Sequence, residues 1–177
     1  MRLDSINQLP AHLRTRNKRL FAPAQNLHPE RFAYPLVIGL DPGQHTGFAV
    51  WDRRTRALQE VLTLDFWGAA ARLDAAQRNG WQAEVWIEDA RLISGIYRQR
   101  NVDADTGRLA AAKGQSVGMV KAHCALLAEK AQLLGFPVQL IKPQGAKWDA
   151  AEFGRWTGWT GRTSEHARDA ARLVVGA

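Results

Sequence analysis

The chain has 177 residues, of which 46% are hydrophobic and 23% charged, and its formal net charge is +7 at pH 7. These values exclude a disordered chain and allow one domain with a sizeable core. The single cysteine, Cys124, excludes an internal disulfide, and no stretch is apolar enough for a secretory signal or a membrane span. We therefore expect a soluble cytoplasmic protein without a membrane partner.

The positive charge indicates a polyanionic partner, because the sequence pI is about 10.2. Nucleic acid is the commonest partner of such a protein. An acidic membrane surface is the rival, but the sequence contains no strongly amphipathic basic helix with a large apolar face. Nucleic-acid binding is therefore the favoured interpretation.

Residues 1–34 are predicted to form a basic N-terminal arm, separate from a globular domain over residues 35–177. The arm carries six Lys or Arg side chains against two acidic ones. Several prolines interrupt it, which leaves room for one short helix near residues 10–20. Two interpretations stay open: a solvated tail, or an arm that grips DNA.

Alternating strand and helix patterns begin at Leu36. "LVIGLD" predicts a buried strand, and a Pro-Gly turn joins it to a hairpin partner, "TGFAVWD". In chain order the predicted strands are 36–41, 46–52, 57–66, 84–89 and 138–143. The predicted helices are 66–80, 107–134, a short helix within 145–156, and a final helix over 163–175 with Thr163 as N-cap.

This order of elements predicts an α/β fold. The first three strands form an antiparallel meander, and right-handed crossovers add two more, which gives a five-stranded mixed sheet with helices on both faces. In this topology the first and fourth strands can lie side by side. Functional groups in such sheets collect at strand ends and at the adjoining helix starts.

The long helix has an apolar stripe at steps of three and four residues. The stripe is most simply a core face, although its nearly heptad spacing also allows a dimer seam. Its members are Val117, Val120, Cys124, Leu127, Ala131 and Leu134.

Four side chains with metal-binding chemistry are expected to converge. Asp41 ends the first strand and Glu88 the fourth, while His166 and Asp169 share the inward face near the start of the final helix. Carboxylates that converge without cations repel one another, and Mg²⁺, which prefers oxygen ligands, resolves that conflict. Two such ions can activate a water for phosphodiester cleavage, so the pattern favours a nuclease.

Each of these residues also has a simpler structural explanation. Asp41 precedes Pro-Gly and could be an ordinary turn residue. Glu88 is followed by Asp89, and strand alternation cannot decide which of the two faces the site. His166 could lie at the surface or at the edge of the core, although a neutral imidazole is a credible metal ligand.

Two further segments carry basic and aromatic side chains. In the long polar loop 91–107, the arginines could bind phosphates and Tyr97 could wedge against an exposed base pair, unless the segment is a plain surface loop. The tryptophan-rich stretch around 147–162 is interpreted as mainly structural. Its cations Lys147, Arg155 and Arg162 are candidate phosphate contacts.

Four motifs occur in a fixed order: "IGLDPGQHTGFAVWD", "WIEDA", "AAKGQSVGMV" and "SEHARDAARLV". Together they resemble the RuvC-like Holliday junction resolvases of the ribonuclease H-like superfamily, especially the short phage and prophage members. The likeness covers roughly residues 36–177. The first motif alone is weak, because a similar hairpin opens actin-like ATPases, but those proteins need two related lobes and hence a longer chain.

The resemblance implies a ribonuclease H-like sheet and a metal-dependent active site. Asp41, Glu88 and Asp169 match the family's catalytic carboxylates. His166 falls where many members have another aspartate and some have a histidine. These residues would hold two Mg²⁺ ions per active site, with Mn²⁺ as an alternative.

The resemblance also implies a homodimer that resolves four-way junctions or other branched DNA by paired nicks, in a bacterial or phage-infected cell. Lys142 and Lys147 fall where members carry basic residues near the scissile phosphate. Gln115 matches a helix segment that, in the family, packs near the junction-binding face. The residues assigned to nucleic acid are Arg91, Tyr97, Arg98, Arg100, Lys113, Gln115, Lys121, Lys142 and Lys147.

Two other functions stay open. A nuclease of the same fold could cut RNA or an RNA/DNA hybrid instead of branched DNA. The chain could also be a branched-DNA-binding protein that has lost catalysis, although the retention of all four site residues argues against that.

Overall fold

A computed structural model of the chain describes residues 33–93, 104–145 and 147–177, with side chains described throughout these ranges except over 104–113. The predicted basic arm, 1–34, therefore lies outside the described residues except for its last two. Most of the arginine-rich loop also lies outside them.

The five strands form one mixed sheet in the order β3-β2-β1-β4-β5. Strands β1 to β3 are an antiparallel meander, and β4 and β5 add to it in parallel with β1. This confirms the predicted five-stranded mixed sheet and the expected pairing of the first and fourth strands. The strands are Leu36–Asp41 (β1), Thr46–Asp52 (β2), Ala57–Leu64 (β3), Ala83–Glu88 (β4) and Val138–Ile141 (β5).

Three of the α-helices begin at capping side chains that the sequence supplies. Asp65 accepts a hydrogen bond from the Gly68 amide at 2.6 Å, so β3 ends before the predicted residue 66. Asp149 and Glu152 form a reciprocal capping box at the start of the short helix Ala150–Thr157. The helices are Phe66–Arg78 (α1), Ala104–Leu133 (α2), Ala150–Thr157 (α3) and Glu165–Val174 (α4), with a 3₁₀ turn at Ala90–Leu92.

The N-cap of the final helix is Ser164, whose hydroxyl accepts from the Ala167 amide at 3.1 Å. The prediction of Thr163 was therefore wrong by one residue. Both side chains can cap a helix, so the residue types alone could not decide between them.

Helices cover both faces of the sheet, as predicted. On one face, Leu73 of α1 and Leu127 of α2 pack against the strands. On the other face, Phe153 of α3 and Val174 of α4 do so. The two buried clusters give the chain a three-layer α/β core.

The apolar stripe of the long helix is only partly buried. Cys124, Leu127 and Ala131 are fully buried against the sheet, as expected of a core face. Val117, by contrast, is 45% exposed, and every described side chain from 114 to 119 is exposed. The core interpretation was therefore wrong for Val117, because none of the described residues buries this end of α2.

Across the described ranges, the chain has no helix that combines the length and the apolar character needed to cross a membrane.

Candidate metal centre

The sheet brings Asp41 and Glu88 to the same edge. Each is the last residue of its strand, and β1 and β4 are hydrogen-bonded parallel neighbours with Leu40 opposite Ile87. Because side chains alternate along a strand, both carboxylates point to the face that α4 covers. The topology alone thus places two acidic groups side by side.

Two glycines allow the final helix to lie directly on this part of the sheet. A Cβ atom at Gly39 or Gly47 would come well within 3.0 Å of the carbonyl oxygen of Ala170 or His166, respectively. Only glycine permits so close an approach of helix backbone to strand. The first two turns of α4 are therefore held against the ends of β1 and β2.

This contact brings the two α4 site residues to the carboxylates. His166 Nδ1 lies 3.4 Å from Asp41 Oδ2, and its side chain is 42% exposed. Asp169, one turn later, is only 5% exposed. Hence His166 lies at the exposed rim of the acidic cluster, and Asp169 lies at its buried end.

Lys147 and Asp169 form an ion pair at the solvent-facing side of the acidic cluster. Lys147 Nζ lies 3.1 Å from Asp169 Oδ2 and also pairs with Glu165. The lysine side chain is about half exposed, so it can leave this pair for solvent. Of the basic residues predicted to meet a phosphate, Lys147 lies directly at the acidic site.

The electrostatics of the carboxylates are unfavourable without a bound cation. Burial, followed by the negative charge of Asp169, raises the pKa of Asp41 from 3.8 to about 6, although His166 and Lys147 act in the opposite direction. Burial, followed by the charge of Asp41, raises the pKa of Glu88 from 4.5 to about 7. A cation at this position would relieve both costs.

The structure separates Glu88 from its neighbour Asp89. Asp89 is buried on the opposite side of the strand, caps the 3₁₀ turn, and accepts three hydrogen bonds from the Arg91 guanidinium at 2.8–3.0 Å. Those contacts hold the pKa of the Asp89 carboxyl below its ordinary value, although burial alone acts to raise it. Asp89 is therefore a structural cap, and Glu88 faces the site.

The sequence analysis missed one residue of this cluster, Arg172 on the third turn of α4. Its Nη2 atom lies 4.0 Å from Glu88 Oε2, and its side chain is 6% exposed. The sequence spacing did indicate its position, because Arg172 is three residues after Asp169 and so lies on the same face of α4. Arginine on that face is unexpected, since the face packs against an apolar sheet.

The donors match a hard divalent cation in chemistry. They are carboxylate oxygens and one imidazole, and Glu88 Oε2 is buried with no hydrogen-bond partner among the described residues. As placed, however, no three His, Cys, Asp or Glu side chains in the described ranges form a ready metal-binding group. Lys147 and Arg172 lie between and beside the carboxylates, so ion binding requires side-chain rearrangement.

The other predicted nucleic-acid residues are spread more widely. The Arg91 guanidinium is held by Asp89, whereas Lys142 is exposed just after β5. Gln115 is exposed and Lys121 half-buried on α2. Tyr97, Arg98, Arg100 and the side chain of Lys113 lie outside the described residues.

No protein-family model, curated protein or solved structure matched this chain.

Proposed function

We propose that the chain is a divalent-metal-dependent endonuclease of the ribonuclease H-like superfamily, a RuvC-like resolvase that nicks four-way DNA junctions. The observation that carries this proposal is the placement of Asp41, Glu88 and Asp169 on neighbouring elements, where burial and the neighbouring carboxylates raise the pKa of Asp41 and of Glu88. Buried carboxylates that destabilise one another serve no purpose in a purely structural core, but they suit a cation-binding site.

In this proposal Asp41, Glu88 and Asp169 hold the metal, with His166 as a further ligand at the rim. Bound there, divalent ions would lower the pKa of an attacking water and stabilise charge on the leaving oxygen. His166 can hold a proton at Nδ1, 3.4 Å from Asp41. The half-exposed Lys147 is suited to contact a phosphate of the cut strand, which would draw it away from Asp169.

The substrate class rests on charge and exposure. The net charge of +7 and the exposed Lys142 and Lys147 near the acidic edge support attraction of a phosphate backbone to this side of the sheet. A positive surface around a negative pocket suits a nuclease, because the surface holds the strand and the pocket holds the ions. The products are proposed to carry 5′-phosphate and 3′-hydroxyl ends, as the resemblance implies.

A homodimer is part of the proposal, since paired nicks need two active sites. An apolar surface patch supports it: Trp67 is 76% exposed on α1, and Leu126 and Leu133 are 49% and 79% exposed on α2. These side chains line one groove between the two helices. Exposed apolar groups of this size in one patch are typical of an interaction surface, and two copies could cover each other's patch.

The test is cleavage of labelled substrates by the purified full chain. A four-way junction, a linear duplex, an RNA/DNA hybrid and a hairpin RNA are each incubated with Mg²⁺, Mn²⁺ or EDTA. The proposal expects paired nicks in the junction with either ion and none with EDTA. Cleavage of the hybrid or the RNA alone would transfer the activity to those substrates, and junction binding without any cleavage would identify an inactive binding protein.

Substitutions at the site make the test specific. Asp41→Asn and Glu88→Gln should each slow nicking by at least about 10²-fold, yet keep junction binding, which depends on surface charge. Asp52→Asn is the matched control, because Asp52 also ends a strand but pairs with Leu36 at the opposite edge of the sheet. Nicking by Asp41→Asn at the wild-type rate would refute the assigned site.

A further inference from the structure

A buried arginine lies beside the acidic cluster and has few partners. The Arg172 side chain is 6% exposed, and its Nη2 atom donates a hydrogen bond to the Gln144 carbonyl at 3.2 Å. Within the described residues, its Nε and Nη1 atoms have no hydrogen-bond partner. A buried guanidinium with unsatisfied donors is costly unless a negative charge compensates it.

Glu88 supplies that negative charge. Its Oε2 atom lies 4.0 Å from Arg172 Nη2, which is too long for a hydrogen bond but close enough for a strong charge interaction. Arg172 opposes the rise in the pKa of Glu88 that burial and Asp41 cause. The two groups are therefore electrostatic partners that do not satisfy each other's hydrogen bonds.

Arg172 and Lys147 differ in how readily they can move away. The Lys147 side chain is 53% exposed, so its ammonium can turn into solvent when a metal ion reaches Asp169. Arg172 is enclosed between α4 and the chain that follows β5, where the Gln144 carbonyl holds it. Of the two cations, Arg172 is the nearly buried one, at 6% exposed, so its charge stays beside Glu88.

We propose that Arg172 is the internal counter-cation of Glu88, so that without DNA the chain binds one divalent ion, at Asp41, Asp169 and His166. Glu88 is then withheld from a second ion until a DNA phosphate adds negative charge to the site. This inference rests on the proposed metal-dependent function and adds an order to ion binding. Arg172 is a positioning residue in this scheme, because it acts through Glu88.

The charge balance supports this order. Three carboxylates of the cluster, Asp41, Glu88 and Asp169, face two permanent cations, Lys147 and Arg172. Once Lys147 has turned into solvent, a first divalent ion and Arg172 together already balance the three carboxylates. A second ion next to a fixed guanidinium would be repelled unless the substrate brings a negative charge.

The experiment titrates Mn²⁺ into the metal-free full chain without DNA, with bound ions counted by calorimetry and free Mn²⁺ by electron paramagnetic resonance. We expect one ion per wild-type chain and two per Arg172→Met chain. A charge this close changes a carboxylate's proton affinity about ten- to thousandfold. The second ion should therefore bind the variant at least about tenfold more tightly than it binds the wild type.

Two variants separate charge from structure. Arg172→Lys keeps the positive charge and should restore binding of one ion. Arg168→Met removes an arginine one turn earlier, whose Nε donates to the Trp148 carbonyl at 3.0 Å. Arg168→Met is the matched control for lost packing, and this variant should still bind one Mn²⁺ ion per chain.

The outcomes distinguish this inference from the proposed function. Two equally tight ions in the wild type, or one ion in Arg172→Met, would overturn the counter-cation role alone. Binding of no ion by either protein would overturn the metal-dependent function and this inference with it. If Arg172→Met does not fold, Glu88→Gln decides: the single wild-type ion should persist, and its loss would refute the scheme.

Discussion

Replacing Asp41 with asparagine should stabilise the metal-free protein at pH 8. The pKa of Asp41 rises from 3.8 to about 6, chiefly through burial and then through the charge of Asp169. At about 1.36 kcal/mol per pKa unit, ionising this carboxyl costs about 3 kcal/mol more in the folded protein than in the unfolded chain. Asparagine removes the charge but still has a polar group to bury, so we expect a gain of about 1–3 kcal/mol.

The gain should appear in a defined pH window. Between 3.8 and about 6, the folded protein binds more protons at Asp41 than the unfolded chain does. The free energy of unfolding therefore falls as pH rises through that window. The free energy of unfolding of the wild type should therefore fall between about pH 4 and pH 7. That of Asp41→Asn should not fall for this reason, because asparagine does not titrate. The two proteins should be similar in stability at pH 4 and should differ by pH 8.

Urea unfolding followed by tryptophan fluorescence in EDTA, at pH 4 and pH 8, measures this difference. In thermal unfolding, 1 kcal/mol corresponds to about 2–4 °C for a chain of this size. Asp52→Asn, at the other edge of the sheet, controls for the general effect of removing a strand-end charge. An Asp41→Asn protein that is less stable than the wild type by the same amount at both pH values would refute the reasoning.

Three other predictions address the ion, the helix and the dimer. Mg²⁺ should raise the wild-type melting temperature more at pH 8 than at pH 5, because protons compete with the ion for the carboxylates. Asp41→Asn should lose most of this response. An equal rise in the wild-type melting temperature at both pH values would contradict binding of Mg²⁺ to these carboxylates. Gly47→Ala should destabilise the protein by about 1–3 kcal/mol or more in urea, because its Cβ meets the backbone of α4. Gly118→Ala, which has open space on a helix, should instead be neutral or gain up to about 1 kcal/mol. Leu133→Glu should convert a dimer into a monomer in analytical ultracentrifugation, whereas Leu62→Glu, outside the α1–α2 patch, should not; a dimer that survives Leu133→Glu would exclude that patch.

Most of the fold could be predicted because each element carries its own local signal. "LVIGLD" followed by Pro-Gly predicts a strand and a turn, and an antiparallel meander followed by crossovers leaves few ways to arrange five strands. The boundaries were less accurate where two signals meet. Asp65 could end a strand or cap a helix, and it caps α1.

The prediction for the long helix was incomplete because periodicity does not show how far the sheet extends. Val117 and Cys124 belong to the same apolar stripe, yet of these two only Cys124 is buried. Sequence spacing reports which side chains share a helix face. It does not report whether anything covers that face.

The carboxylates of the site and Lys147 were predictable from the sequence, whereas Arg172 was not. Asp41 and Glu88 stand at strand ends, and the order of elements brings those ends together. The position of Arg172 beside Glu88 depends on the length of its side chain and on the place of the Gln144 carbonyl, which belong to the tertiary structure. Strand alternation could not choose between Glu88 and Asp89, so Glu88 was favoured by the resemblance alone, and the Arg91 contact explains why Asp89 has a different role.

In the account given above, Asp41 of β1 and Asp169 of α4 hold a divalent ion in the DNA-free protein. The most direct measurement is an anomalous difference map from crystals of the full chain grown with Mn²⁺. We predict a peak within coordination distance of the Asp41 and Asp169 carboxylates, with Lys147 turned away from Asp169. A map without a peak there, in which Lys147 still pairs with Asp169 at saturating Mn²⁺, would contradict the account.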